Sequence, residues 1–150
     1  GEAKAISIIA ALELGRRRKE TDFVETNSIL SSRDIYNVLA PNFIDLTHEE
    51  FWILLLNRAN KVLEKIIISK GGLASTTADP KIIFKAALNH QAANVILAHN
   101  HPSGNLKPSD TDIRLTKKLI EGAKILDIAI LDHVIFTDKG YFSFADEGLL

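Results

Sequence analysis

Residues 96–112, ILAHNHPSGNLKPSDTD, constrain this chain more than any other stretch. Val95, Ile96, Leu97 and Ala98 make an apolar run that reads as a buried strand. Alternate residues of a strand share a face, so His99 and His101 point the same way. Pro102 cannot donate to a sheet ladder and should stop the strand. Gly104, Asn105 and Pro108 mark a turn. Ser109 then opens a helix whose first turn carries Asp112. Ser109-x-x-Asp112 is by itself a capping box, with Asp in place of the usual Glu or Gln. A capping box does not account for two histidines at strand spacing beside a Pro and Gly turn. Two imidazoles and a carboxylate, brought together by a strand end and a helix start, suit one Zn²⁺ per chain with a fourth position open.

The spacing His99-x-His101-Pro102, six residues, Ser109, two residues, Asp112 resembles the JAMM signature of JAB/MPN metalloproteases. With "AHNHPSG", "PSDTD" and "LDHVIF" together, the chain resembles the RadC family within that group, over nearly its whole length. The resemblance implies a cytidine-deaminase-like architecture and a zinc ion held by His99, His101 and Asp112. It implies a catalytic acid/base upstream, on a strand beside the metal strand. It also implies that residues 1–25 are the tail of a helix-hairpin-helix-like module with its linker, and residues 26–150 the metal-binding domain. One position departs from the pattern. Lys81 follows Pro80 where Arg is expected, so an anion contact there lacks the planar fork of Arg.

The rest of the chain narrows the classes. A net charge of −1 gives no global basic field for nucleic acid. With no cysteine, disulfides and thiolate sites are excluded, and any zinc must use His and carboxylate ligands. No apolar run is long enough to span a bilayer, so no membrane partner is expected. No secretory signal is visible, and the cytoplasm is the expected compartment. The chain opens on Gly1 rather than Met, which reads as a piece of something longer.

In order, residues 3–18 read as a helix with Ala5, Ile8, Ile9, Ala11 and Leu12 as its apolar stripe. Arg16, Arg17, Arg18 and Lys19 suit its C-terminal dipole, or a phosphate. Residues 20–30 read as a linker. Ser31 or Ser32 caps a helix over 33–39, which Pro41 ends. "EEFWILLLN" and "KVLEKIIISK" form a hairpin, broken at Gly71-Gly72. Asp79 and Pro80 start a helix burying Ile82, Ile83, Ala86 and Ala87. The metal strand follows, then a helix over 109–125 lined by Ile113, Leu115, Leu119, Ile120 and Ala123. "DIAILDHVIF" and "YFSF" close the chain as strands. This order is α+β, a mixed central sheet flanked by helices.

The function expected is a zinc-dependent hydrolase of the metalloprotease type, cutting a peptide or isopeptide of unidentified sequence. Glu49 and Glu50 both fall at a strand start and face opposite sides. Periodicity cannot choose between them, because both faces of the strand are apolar. The family pattern, Glu, one variable residue, then Phe, places the acid/base at Glu49. Ser109 is expected to donate to the oxyanion. Asn100 faces away and reads as structural. His133 reads as a hydrogen-bonded strand histidine, His48 and His90 as solvent-facing, and Asn105 and Lys107 as loop residues open to substrate. A DNA-repair nuclease, a DNA-binding accessory module and a non-catalytic interaction domain are the alternatives. The ligand set argues against the last. A single set of metal ligands argues against the nuclease, because such sites often hold two metals. Duplex DNA is expected to bind weakly, and oligomeric state is not encoded in any pattern found.

Overall fold

A computed structural model describes residues 1–24, 28–71 and 78–150, and the side chains of these apart from residues 17–24. It contains α1 (Glu2–Val24), α2 (Ser32–Phe43), β1 (Glu50–Leu56), β2 (Val62–Lys70), α3 (Pro80–Asn89), β3 (Asn94–Asn100), α4 (Asp110–Ile125), β4 (Ala129–Thr137) and β5 (Gly140–Ser143). The five strands form one mixed sheet in the order β2-β1-β3-β4-β5. Only β3 and β4 pair in parallel, with α4 as the crossover between them. The α+β layout expected from the residue pattern is the one found.

The sheet is organised from its centre. Every residue of β1 is buried, as an apolar run without alternation requires. Its two faces feed two cores. Trp52, Leu54 and Leu56 join Ile96, Ala98, Val134 and Phe136 under Ile35, Val38, Leu39 and Phe43 of α2. Phe51, Ile53 and Leu55 join Val95 and Leu97 under Ile83 and Ala87 of α3 and Leu119 and Ala123 of α4. β2 is an edge strand, and its Leu63 and Ile67 remain partly exposed. His99 continues the Val95–Leu97 face, so the sheet delivers it to the side covered by α4.

Helix starts follow the sequence closely. Ser31, Asp79 and Ser109 each accept a hydrogen bond from a backbone N–H of the first turn. Pro80 occupies the first turn of α3, where a missing N–H costs nothing. Helix ends follow it less well. α1 runs through the expected linker as far as Val24, because Arg, Lys and Glu are strong helix formers and no Pro interrupts. The rest of that linker, 25–27, and Gly72 of the expected break lie outside the described residues. α2 passes Pro41 and ends at Phe43, whose ring the core requires. Ile82 was expected in the core but is half exposed on α3, while Ile83 and Ala87 are buried. On α4 the buried positions are Thr116, Leu119 and Ala123.

Among the described residues the apolar stripe expected on α1 meets no core, since Ile8, Ile9 and Leu12 are each at least 60% exposed. Arg16 pairs with Glu13 at 2.7 Å and donates to the Pro41 carbonyl. The side chains of Arg17, Arg18 and Lys19 lie outside the described residues. No helix among the described residues is long and apolar enough to cross a membrane.

Candidate metal centre

The parallel β3–β4 pair sets the site. The ladder continues past β3 through the His101 N–H, which donates to the Phe136 carbonyl. Pro102 ends the strand, and the chain turns through Gly104 at φ 78°, whose N–H donates back to the His101 carbonyl. A side chain at Gly104 would be strained by that φ and would press on Asp138. The loop returns to Ser109, which caps α4 and presents Asp112. Three ligand atoms converge. His99 Nε2 lies 2.9 Å from His101 Nε2, and Asp112 carboxylate oxygens lie 3.4 and 3.6 Å from them. These separations fit within the span of two ligand bonds of ~2.0–2.2 Å meeting at one ion.

Hydrogen-bond partners fix where the imidazole protons sit. Thr116 Oγ1 lies 2.7 Å from the Asp112 backbone carbonyl and 2.7 Å from His133 Nδ1. A carbonyl only accepts, so the Thr116 hydroxyl donates to it and accepts from His133 Nδ1–H. Complete burial, with the charge of His99 second, pushes the His133 pKa well down and keeps that ring neutral. A neutral ring has one N–H, so His133 Nε2 accepts. Its partner, 2.8 Å away, is His99 Nδ1, which therefore donates. His99 Nε2 is left as a bare lone pair. His101 Nδ1 donates to the Asn105 carbonyl at 2.6 Å, and its Nε2 is likewise bare.

Two bare nitrogens facing each other at 2.9 Å repel unless a cation sits between them. In the metal-free chain a proton does this. The Asp112 hydrogen bond is the main cause that raises the His101 pKa, aided by the Asn105 carbonyl and the charges of Asp112 and Glu49. Burial pushes the Asp112 carboxyl up, but the His101 and His99 rings beside it and the Ser109 hydroxyl outweigh that and hold the group well below the usual range. The carboxylate therefore stays ionised. Two neutral imidazoles with outward lone pairs and one anion form the donor set that zinc takes, so the residues present fit the ion.

The remaining site residues sort by face. Phe51 stacks on His99 with ring centroids 5.9 Å apart, so the odd-numbered face of β1 meets the candidate site. Glu49 precedes this face, half-buried, and its charge is felt at His101. Glu50 lies on the other face, its side chain only 5% exposed, accepting from Trp52 Nε1 at 2.8 Å and meeting His48 Nε2 at 2.9 Å. His48 is thus paired with Glu50, while its side chain keeps 42% of its surface open to solvent. His90 is exposed at the end of α3. Asn100 accepts from the Glu50 N–H at 2.7 Å and donates to the His48 carbonyl, tying β3 to the start of β1. Ser109 gives its hydroxyl proton to Asp112 Oδ2 at 2.6 Å, and its N–H goes to the same oxygen. Donation to an oxyanion requires that hydroxyl to leave Asp112. Asn105 serves the site through its carbonyl, and its side chain accepts from the Lys107 N–H.

Sequence reasoning missed Thr116. A threonine on a helix carries no signal until the fold places it against His133. His133 is a hydrogen-bonded strand histidine, and its partner is His99, a candidate ligand.

A family model described as RadC-like JAB domain matches residues 29–149. The chain is 50% identical over 149 residues to a UPF0758 protein of Flavobacterium johnsoniae, covering 99% of this chain and 65% of that protein. It is 45% identical to a UPF0758 protein of Porphyromonas gingivalis and 42% identical to one of Methanosarcina mazei, covering 100% of this chain and 66% of each. It spans just under two thirds of the length of these relatives. The match covers the sheet, the three helices packed on it and His99, His101 and Asp112, and by it the chain belongs to the RadC-like JAB domain family.

Proposed function

We propose that the domain is a zinc-dependent peptidase or isopeptidase. The observation that carries this reading is the pair of bare ring nitrogens, His99 Nε2 and His101 Nε2, 2.9 Å apart and closed by the Asp112 carboxylate. Bound zinc supplies a Lewis acid that makes water nucleophilic near neutral pH. His99, His101 and Asp112 would hold it. Glu49, on the ligand-facing side of β1, takes the proton of the attacking water and passes it to the leaving amine. Ser109, swinging its hydroxyl from Asp112, donates to the developing oxyanion. Phe51 and the buried rings of His133 and Phe144 exclude bulk water behind the ligands and fix their orientation.

The test is a zinc-loaded chain screened against peptide and isopeptide libraries beside labelled DNA. Peptide cleavage should appear with one zinc per chain and fall at least about a hundredfold in Glu49→Gln, since general-base catalysis contributes roughly 10²–10⁴. Glu49→Gln should still bind zinc. Cleavage that survives Glu49→Gln, or DNA cleavage without peptide cleavage, refutes the reading.

A further inference from the structure

His101 borders a second feature, a cavity of about 410 Å³ at the carboxyl ends of β3 and β4. Phe43 and Tyr36 of α2 and Phe136 of β4 wall it, and residues 100–102 complete it at the metal strand. The walls are aromatic and already stacked, with Phe43 and Phe136 centroids 4.5 Å apart and Tyr36 and Phe136 at 5.8 Å. One cation uses this stack from elsewhere, since the Arg33 guanidinium lies 5.9 Å from the Tyr36 centroid. At the rim stand two exposed carboxylates, Asp45 and Asp138. Among the described residues neither side chain makes an ion pair, and no Lys or Arg lines the cavity. Both carboxylates would repel an anion at the rim. A purely apolar occupant would cover two carboxylates without compensating them.

We propose that this cavity takes a lysine or arginine side chain of an extended peptide whose adjoining amide lies at the metal centre. The methylenes of such a side chain lie along Phe43 and Phe136, and its charged head reaches Asp45 and Asp138. His101 lines the cavity and is also one of the three residues that could hold the ion, so the two features meet past the end of β3. The inference rests on the peptidase reading and gives it a substrate class, peptides with a basic residue beside the cut.

Binding, rather than cleavage, tests it. Backbone amide shifts of the zinc-free chain, and of the zinc-loaded Glu49→Gln chain, are followed against acetyl-Ala-Lys-Ala-amide and its norleucine counterpart. The lysine peptide should saturate shifts at Ala40, Asn100 and Thr137 with an affinity about tenfold above norleucine, the effect of two water-exposed ion pairs. The double variant Asp45→Asn with Asp138→Asn should erase that preference and keep the norleucine affinity. Equal affinity for the two peptides, or a preference that survives the double variant, overturns the inference. Lysine-selective binding by a chain that cleaves no peptide supports the cavity assignment and refutes the peptidase reading alone.

Discussion

Thr116→Val isolates the proton order of the site. Thr116 is fully buried, and Val keeps its shape while deleting one hydroxyl. The change removes the acceptor of His133 Nδ1–H and the donor to the Asp112 carbonyl, both at 2.7 Å. A buried N–H without a partner costs about 1–3 kcal/mol. His133 can avoid that cost by moving its proton to Nε2. That N–H then faces His99 Nδ1 and drives the His99 proton onto Nε2, where it blocks the ligand lone pair. The second route removes that penalty at the expense of the metal, and the expectation is that His133 takes it. Loss of an outer partner of a ligating histidine typically weakens binding 10–100-fold, and about tenfold or more is expected here. Melting of the metal-free chain should fall by roughly 2–12 °C, given about 1–3 kcal/mol and about 2–4 °C per kcal/mol at this size. The assay is competition for Zn²⁺ against a chromophoric chelator, with thermal melts of the same samples. Thr116→Ser, which keeps the hydroxyl, should retain wild-type affinity. Thr116→Val binding zinc within about twofold of wild type would refute the proton order, because the ring tautomers would then not depend on Thr116.

Three further outcomes follow from the same contacts. His101→Ala should abolish stoichiometric zinc while leaving a cooperative melt, whereas Asn100→Ala should keep one zinc and lose about 1–3 kcal/mol, since it orphans the Glu50 N–H; metal analysis and denaturant unfolding separate the two. Burial pushes the Glu50 pKa up, but hydrogen bonds from His48 and Trp52 and the charge of Lys70 outweigh it and set the folded value below the ordinary 4.5. That stabilisation is present above 4.5 and lost as pH falls through the lowered folded value, so Glu50→Gln should flatten the acid limb of the stability curve. A wild-type-like acid limb in Glu50→Gln, measured by urea titration at stepped pH, would show that Glu50 is not the group responsible.

The convergence of His99, His101 and Asp112 and the layer order were legible in the sequence alone. His99 and His101 share a face because the strand period is two, and Asp112 follows a capping serine because helix starts are read locally. The all-apolar β1 and β3 announce a buried sheet for the same kind of reason. Other features needed the folded chain. Whether α2 stops at Pro41 depended on what Phe43 packs against, a contact between residues distant in sequence. The separation of Glu49 from Glu50 needed the family pattern, because both faces of β1 are equally apolar; the structure then shows Glu50 bound to Trp52 and His48. Thr116 and His133 lie 17 residues apart and meet only because β3 and β4 are paired in parallel under α4. No periodicity records that meeting, yet it decides which nitrogen of His99 carries the proton. Residue type and spacing can nominate ligands, but tautomers and cavities are set by groups that only tertiary packing brings together.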